Sequence, residues 1–122
     1  MSEQSRELFV VITHSTENEL SSVGMTIANG GLTAGLRVSI FLTGGGVDIV
    51  RKRAADLTEV KPLSPLKALL DDFLARGGKL YACTPCVRNR GYEDSDLIEG
   101  TVVTGASVMH EAIKAGAATL SF

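Results

Sequence analysis

Tryptophan is absent from this 122-residue chain, and aromatic residues make up only 5 % of it. A surface that grips single strands by stacking bases needs aromatic platforms, so that class of function is disfavoured. A surplus of charge is also missing: 12 Lys and Arg stand against 14 Asp and Glu, a formal net charge of −2. That balance supplies no basic face for nucleic acid or an acidic membrane. No apolar run approaches the roughly 20 residues that cross a bilayer. The polar start, Met-Ser-Glu-Gln-Ser-Arg-Glu, lacks the pattern of a secretory signal, so a cytoplasmic, reducing location is expected. Cysteine occurs only twice. In a reducing compartment a close cysteine pair points to catalysis or metal binding rather than to a structural bridge. Internal repeats and low-complexity tracts are absent too.

What is present is an ordinary globular balance, 44 % hydrophobic and 21 % charged. The length fits one domain, here residues 7–122 behind a flexible tail of residues 1–6. Leu8–Thr13 is an unbroken apolar run suited to a strand buried on both faces. Thr16 and Glu19 form a Thr-x-x-Glu capping box for a first helix bearing Leu20, Val23, Ile27 and Ala34. Gly24, Gly30 and Gly31 on that helix permit close approach to the sheet or to a second subunit. Arg37–Thr43 reads as a second strand, followed by the turn Gly44-Gly45-Gly46 and a short helix over 47–55 with Val47, Val50 and Ala54 inward.

Ser64-Pro65 starts a helix with Leu66, Leu69, Leu70, Phe73 and Leu74 on its apolar face, stopped by Gly77-Gly78. Lys79–Ala82 and Thr101–Thr104 read as strands. Gly105–Ala115 reads as a helix with Val108, Met109, Ala112 and Ile113 inward, and 117–122 as a closing strand. Alternating strands and helices without tight hairpins predict an α/β fold, a three-layer α/β/α sandwich on a mostly parallel sheet of about five strands. Ligands gather beyond the strand C-terminal ends of such sheets. His14, Gly44, Gly45, Gly46 and Cys83 all fall at those ends and form a candidate site rim.

The stretch Cys83-Thr84-Pro85-Cys86-Val87-Arg88-Asn89-Arg90-Gly91 carries both thiols. Thr84 as N-cap with Pro85 at the first helical position predicts a short helix there. Its unpaired N–H groups, with Arg88 and Arg90 close by, favour a thiolate on Cys83 over the free thiol, whose pKa is about 8.5. Cys83 and Cys86 are therefore candidate catalytic residues, with Thr84, Arg88 and Arg90 stabilising an anion. The arginines also have a plain structural reading, as surface partners of Glu93, Asp94 or Asp96. Cys83, Cys86, His14 and His110 could in principle bind zinc, but only one close ligand pair exists, so no metal and no cofactor is expected. The glycine turn lacks the spacing of a nucleotide loop.

Cys83-x-x-Cys86-x-x-x-Arg90-Gly91, Leu97-Ile98-x-Gly100-x-Val102 and the ending Ala118-Thr119-Leu120-Ser121-Phe122 resemble the DsrE/DsrF-like family. Its members include the sulfur-relay subunit TusD and small YchN-like proteins. The resemblance implies a five-stranded α/β/α sandwich, assembly with itself as trimers or hexamers, and sulfur carried as a cysteine persulfide. By motif position the carrying cysteine falls on Cys83. Cys86 matches a second cysteine of YchN-like members that the relay subunit lacks. The implied function is a persulfide carrier or sulfurtransferase, with donor and acceptor proteins as partners. Two other functions stay open: a thiol–disulfide protein in which Cys86 resolves an intermediate on Cys83, and a non-catalytic ligand- or metal-binding oligomer subunit.

Overall fold

The computed structural model describes residues 6–122. The predicted tail thus lies outside the described residues except for Arg6, whose carbonyl accepts from Arg37 N–H and whose Nε donates to the Gly116 carbonyl. The strands are β1 (Glu7–Ile12), β2 (Arg37–Leu42), β3 (Lys79–Cys83), β4 (Thr101–Thr104) and β5 (Ala118–Ser121). The helices are α1 (Glu19–Thr33), α2 (Leu66–Ala75), α3 (Thr84–Asn89) and α4 (Ser107–Lys114), with 3-10 turns at Gly44–Val50 and Asp94–Asp96. All strand pairs are parallel and the order is β4-β3-β2-β1-β5.

That order explains the layers. The first crossovers step from β1 to β2 to β3 in one direction, whereas α4 carries the chain back across the sheet to β5. With right-handed crossovers, α1 and α2 share one face and α4 lies on the other. Leu8, Val10 and Ile12 of β1 register with Val38, Ile40 and Leu42 of β2, and the latter two with Leu80 and Ala82 of β3. These side chains form a dense core with Met25 and Ala28 of α1 and Leu66, Leu69, Leu70 and Phe73 of α2. The opposite face holds Phe9 stacked on Tyr81, ring centroids 5.8 Å apart, beside Phe41.

Three local expectations change. Asn18, not Thr16, caps α1: its backbone is extended and its side chain accepts from Leu20 N–H at 2.9 Å, so the Thr16–Glu19 box does not form. The helix expected over 47–55 is instead the 3-10 turn Gly44–Val50, because Arg51 turns extended and bridges Leu97 in a short antiparallel contact. Val47, Ile49 and Val50 are buried there, and Ala55 rather than Ala54 reaches the core. Finally, α4 is only eight residues long and buries none of them fully; Ile113 stays 41 % exposed. Of the glycines on α1, Gly24 and Gly31 press against Ile12 and Val38 of the chain's own sheet, and Gly30 faces open space. Among the described residues no helix is long and apolar enough to cross a membrane.

Candidate functional site

Adjacent positions in the sheet bring three C-terminal strand ends together. Cys83 ends β3, Thr43 to Gly46 follow β2, and Thr13 to Ser15 follow β1. The turn after β2 lies flat against the end of β1. Thr43 N–H donates to the Ile12 carbonyl at 3.2 Å, and a Cβ on Gly46 would overlap that same carbonyl oxygen. Only glycine fits at position 46, so the close approach of the two backbones is written into the sequence.

Cys83, not Thr84, occupies the N-cap of α3; Thr84 is the first helical residue and Pro85 the second. The cap position is extended, with φ −63° and ψ 122°, as the end of a strand requires. Cys86 is consequently the third helical residue. N-cap and third-residue side chains face each other across a helix start, the geometry that a capping box uses. Two cysteines stand in those positions here. Both thiols are half-buried, reduced, and packed against the main core.

Further donors converge on Cys86. Gly44 N–H donates to its Sγ at 3.2 Å, and Thr43 Oγ1 lies 3.6 Å from it. Burial pushes the Cys86 thiol up. The Thr43 hydroxyl, the Gly44 amide, Cys83 and the Arg90 charge more than offset that, and the thiol titrates below its ordinary value. The glycine turn thus serves as a small anion cradle for sulfur, which its sequence suggests only in general terms.

Arg90 reaches this place because a residue missed by the sequence reading holds it. Its Nε donates to Asp48 Oδ1 at 3.1 Å. The same oxygen accepts from Tyr92 OH at 2.6 Å, and Asp48 Oδ2 accepts from Ser15 Oγ at 2.9 Å. The arginine partners expected at Glu93, Asp94 or Asp96 give way to Asp48. Asp96 instead accepts from the Glu93 backbone, closing its own turn. At about 30 % exposure the Arg90–Asp48 pair is worth on the order of 1 kcal/mol or less. Its consequence is placement of charge more than stability. Burial first, and then the Asp48 carboxylate, raise the Tyr92 phenol above its usual range, so the phenol stays a donor. The Arg51 guanidinium covers the Tyr92 ring at 5.6 Å. The signal for Asp48 was one carboxylate inside an otherwise buried Gly-Val-Asp-Ile-Val run.

The remaining rim residues separate. His14 Nδ1 lies 3.3 Å from Asn18 Nδ2, and the His14 carbonyl accepts from Ser21 Oγ at 2.7 Å, so His14 organises the β1–α1 loop. Arg88 is exposed on the last turn of α3. His110 is exposed on α4. Among the described residues no three His, Cys, Asp or Glu side chains cluster as a metal site would require.

Comparison with known proteins fits this geometry. Over 101 residues the chain is 31 % identical to the uncharacterized protein MJ0760 of Methanocaldococcus jannaschii, covering 82 % of this chain and 37 % of that one. The chain therefore spans little more than a third of that relative's length. Its fold is shared with YchN of E. coli at a TM-score of 0.78 and 15 % identity, over 98 % of this chain and 100 % of that one. MTH1491 of Methanobacterium thermoautotrophicum gives a TM-score of 0.70 at 22 % identity over the same shares. At these identities the likeness establishes the fold alone. The DsrE/DsrF-like family, whose members work in sulfur relay, matches residues 6–122 in sequence, and the chain belongs to that family.

Proposed function

We propose that this protein is a persulfide carrier in which Cys83 holds the sulfane sulfur. The observation that carries this reading is the thiol pair at the sheet's C-terminal edge, Cys83 at a helix N-cap and Cys86 backed by Gly44 N–H, Thr43 and the Arg90 charge. The donors around Cys86 favour negative charge on its sulfur. In the forward step the Cys83 thiol passes its proton to the Cys86 thiolate and attacks the outer sulfur of a donor persulfide. A new S–S bond forms on Cys83, the donor's S–S bond breaks, and the donor leaves as a thiolate. An acceptor thiolate then takes the outer sulfur from Cys83 by the same exchange. Arg90 favours the anionic persulfide in between. A reducing, cytoplasmic compartment suits a pair that must stay free to exchange.

Self-association as a trimer or hexamer belongs to the same proposal. Its support is the thin layer over one sheet face, where Val102 and Ile113 remain 51 % and 41 % exposed. Intact-mass measurement after treatment with a small-molecule persulfide tests the carrier reading. Wild type and Cys86→Ser gain one sulfur atom, and Cys83→Ser does not. Equal gain by Cys83→Ser moves the carrier role off Cys83.

A further inference from the structure

We infer that Cys86 discharges the persulfide on Cys83 as sulfide, so that carrying sulfur and thiol–disulfide exchange are successive steps of one cycle. The inference rests on the carrier reading and extends it to a product and a second substrate. Its basis is position. Cys83 at the N-cap and Cys86 at the third helical residue stand at the same helix start. Once the outer sulfur is on Cys83, the inner sulfur remains the atom beside Cys86 Sγ. The Cys86 thiol, protonated during loading, gives its proton to the outer sulfur as its own sulfur attacks that inner sulfur. A Cys83–Cys86 bond forms, the bond to the outer sulfur breaks, and the outer sulfur leaves as HS−. The sulfane sulfur is reduced to sulfide, and the two thiols are oxidised to a disulfide. No outside oxidant enters.

The local geometry also prescribes how the disulfide is reset. Two electrons must come from a dithiol, the class of reductant that cleaves such bonds. Exchange proceeds faster when the departing thiolate is the better stabilised one. Gly44 N–H at 3.2 Å and the Thr43 hydroxyl at 3.6 Å await the Cys86 sulfur, so the dithiol attacks Cys83 and Cys86 departs into its cradle. A second exchange within the dithiol then frees Cys83, leaving two protein thiols and one oxidised dithiol. The Cys83 sulfur is thus the only atom that any outside partner needs to reach, for loading and for reset alike.

The test uses the reduced full chain and glutathione persulfide as probe. After loading, donor is removed by desalting, and intact mass and released sulfide are followed without reductant. In wild type the sulfur-loaded species converts to a species two hydrogens lighter than the reduced chain, with one sulfide released for each disulfide formed. Cys86→Ser, with Cys86→Ala as a second variant, keeps its sulfur at least roughly tenfold longer, because the attack is intramolecular in wild type. Dithiothreitol then returns the wild-type protein to its reduced mass and allows a second loading. Sulfur loss from wild type no faster than from both Cys86 variants, or loss without the disulfide, overturns the inference and leaves the carrier reading standing. If neither wild type nor the Cys86 variants ever gain sulfur, the carrier reading itself falls and takes the inference with it.

Discussion

The two faces of the sheet are finished to different degrees. On the α1–α2 face, Val10, Ile12, Ile40, Leu42 and Leu80 are fully covered, and the turn after β2 drives Val47, Ile49 and Val50 into the same core. On the α4 face Phe9 and Phe41 are buried, but the eight-residue α4 buries none of its own residues fully, and Val102 and Ile113 stay half in solvent. The sulfur cradle is mounted on the dense side, through the very turn that carries Val47 to Val50. Chemistry that depends on tenths of an ångström is thereby anchored to the more rigid packing. Under the proposed self-association, the loosely covered side is the one that a second copy would cover.

The comparison is broken most severely at Ile49. Ile49→Ala removes a buried side chain from the turn that carries Gly44 and should cost about 2–5 kcal/mol in denaturant unfolding. A loss of only about 0.5 kcal/mol, as at an ordinary surface site, would show that the dense side is not dense.

A middle effect is expected at Thr43. Thr43→Val removes one donor to Cys86 Sγ and so raises the thiol's pKa toward its ordinary value. The alkylation rate of Cys86, measured against pH in a Cys83→Ser background, should shift to higher pH and fall several-fold at neutrality. The stability linkage has a fixed sign. Cys86 titrates lower when folded, so its thiolate contacts stabilise the fold above the ordinary thiol value of about 8.5. That contribution is lost as pH falls through the lowered folded value. Thr43→Val should therefore flatten the alkaline side of the stability–pH curve, and an unchanged curve would remove Thr43 from the cradle.

The smallest change in folding stability is expected on the α4 face. Val102→Ser with Ile113→Ser should shift unfolding by no more than about 1 kcal/mol. Light scattering should nevertheless show a lower assembled mass, while Cys86 reactivity stays as in wild type. A monomer mass for the unaltered protein, or a large loss of stability in the double variant, would remove the distinction between the two faces.

Much of this architecture is legible in the residues. Unbroken runs such as Leu8–Thr13 announce strands covered on both sides, and the spacing of Leu66, Leu69, Leu70 and Phe73 announces the buried face of α2. The cysteine pair at a strand–helix junction was likewise visible. What the residues hide is which neighbours the sheet order creates. Thr43 and Gly44 lie more than forty positions from Cys86, and only the β2–β3 adjacency sets them against its sulfur. Asp48 carries no motif of its own in the sequence, and only the turn that ends at the extended backbone of Arg51 sets it beside Arg90 and Tyr92. The capping errors at Thr16 and Thr84 share one cause. Several residues near a helix start are chemically able to cap, and the incoming chain direction selects among them.

The bond from Gly44 N–H to Cys86 Sγ gives the molecule a built-in gauge. The amide proton's environment depends on whether the sulfur beside it is a thiolate, a thiol or half of a disulfide. Glycine amides resonate in an uncrowded region of a nitrogen–proton correlation spectrum. The Gly44 cross-peak should therefore move with pH along the Cys86 titration, jump when the disulfide forms, and return on reduction. One backbone signal would follow the whole cycle in an unmodified protein, with no label placed on either cysteine.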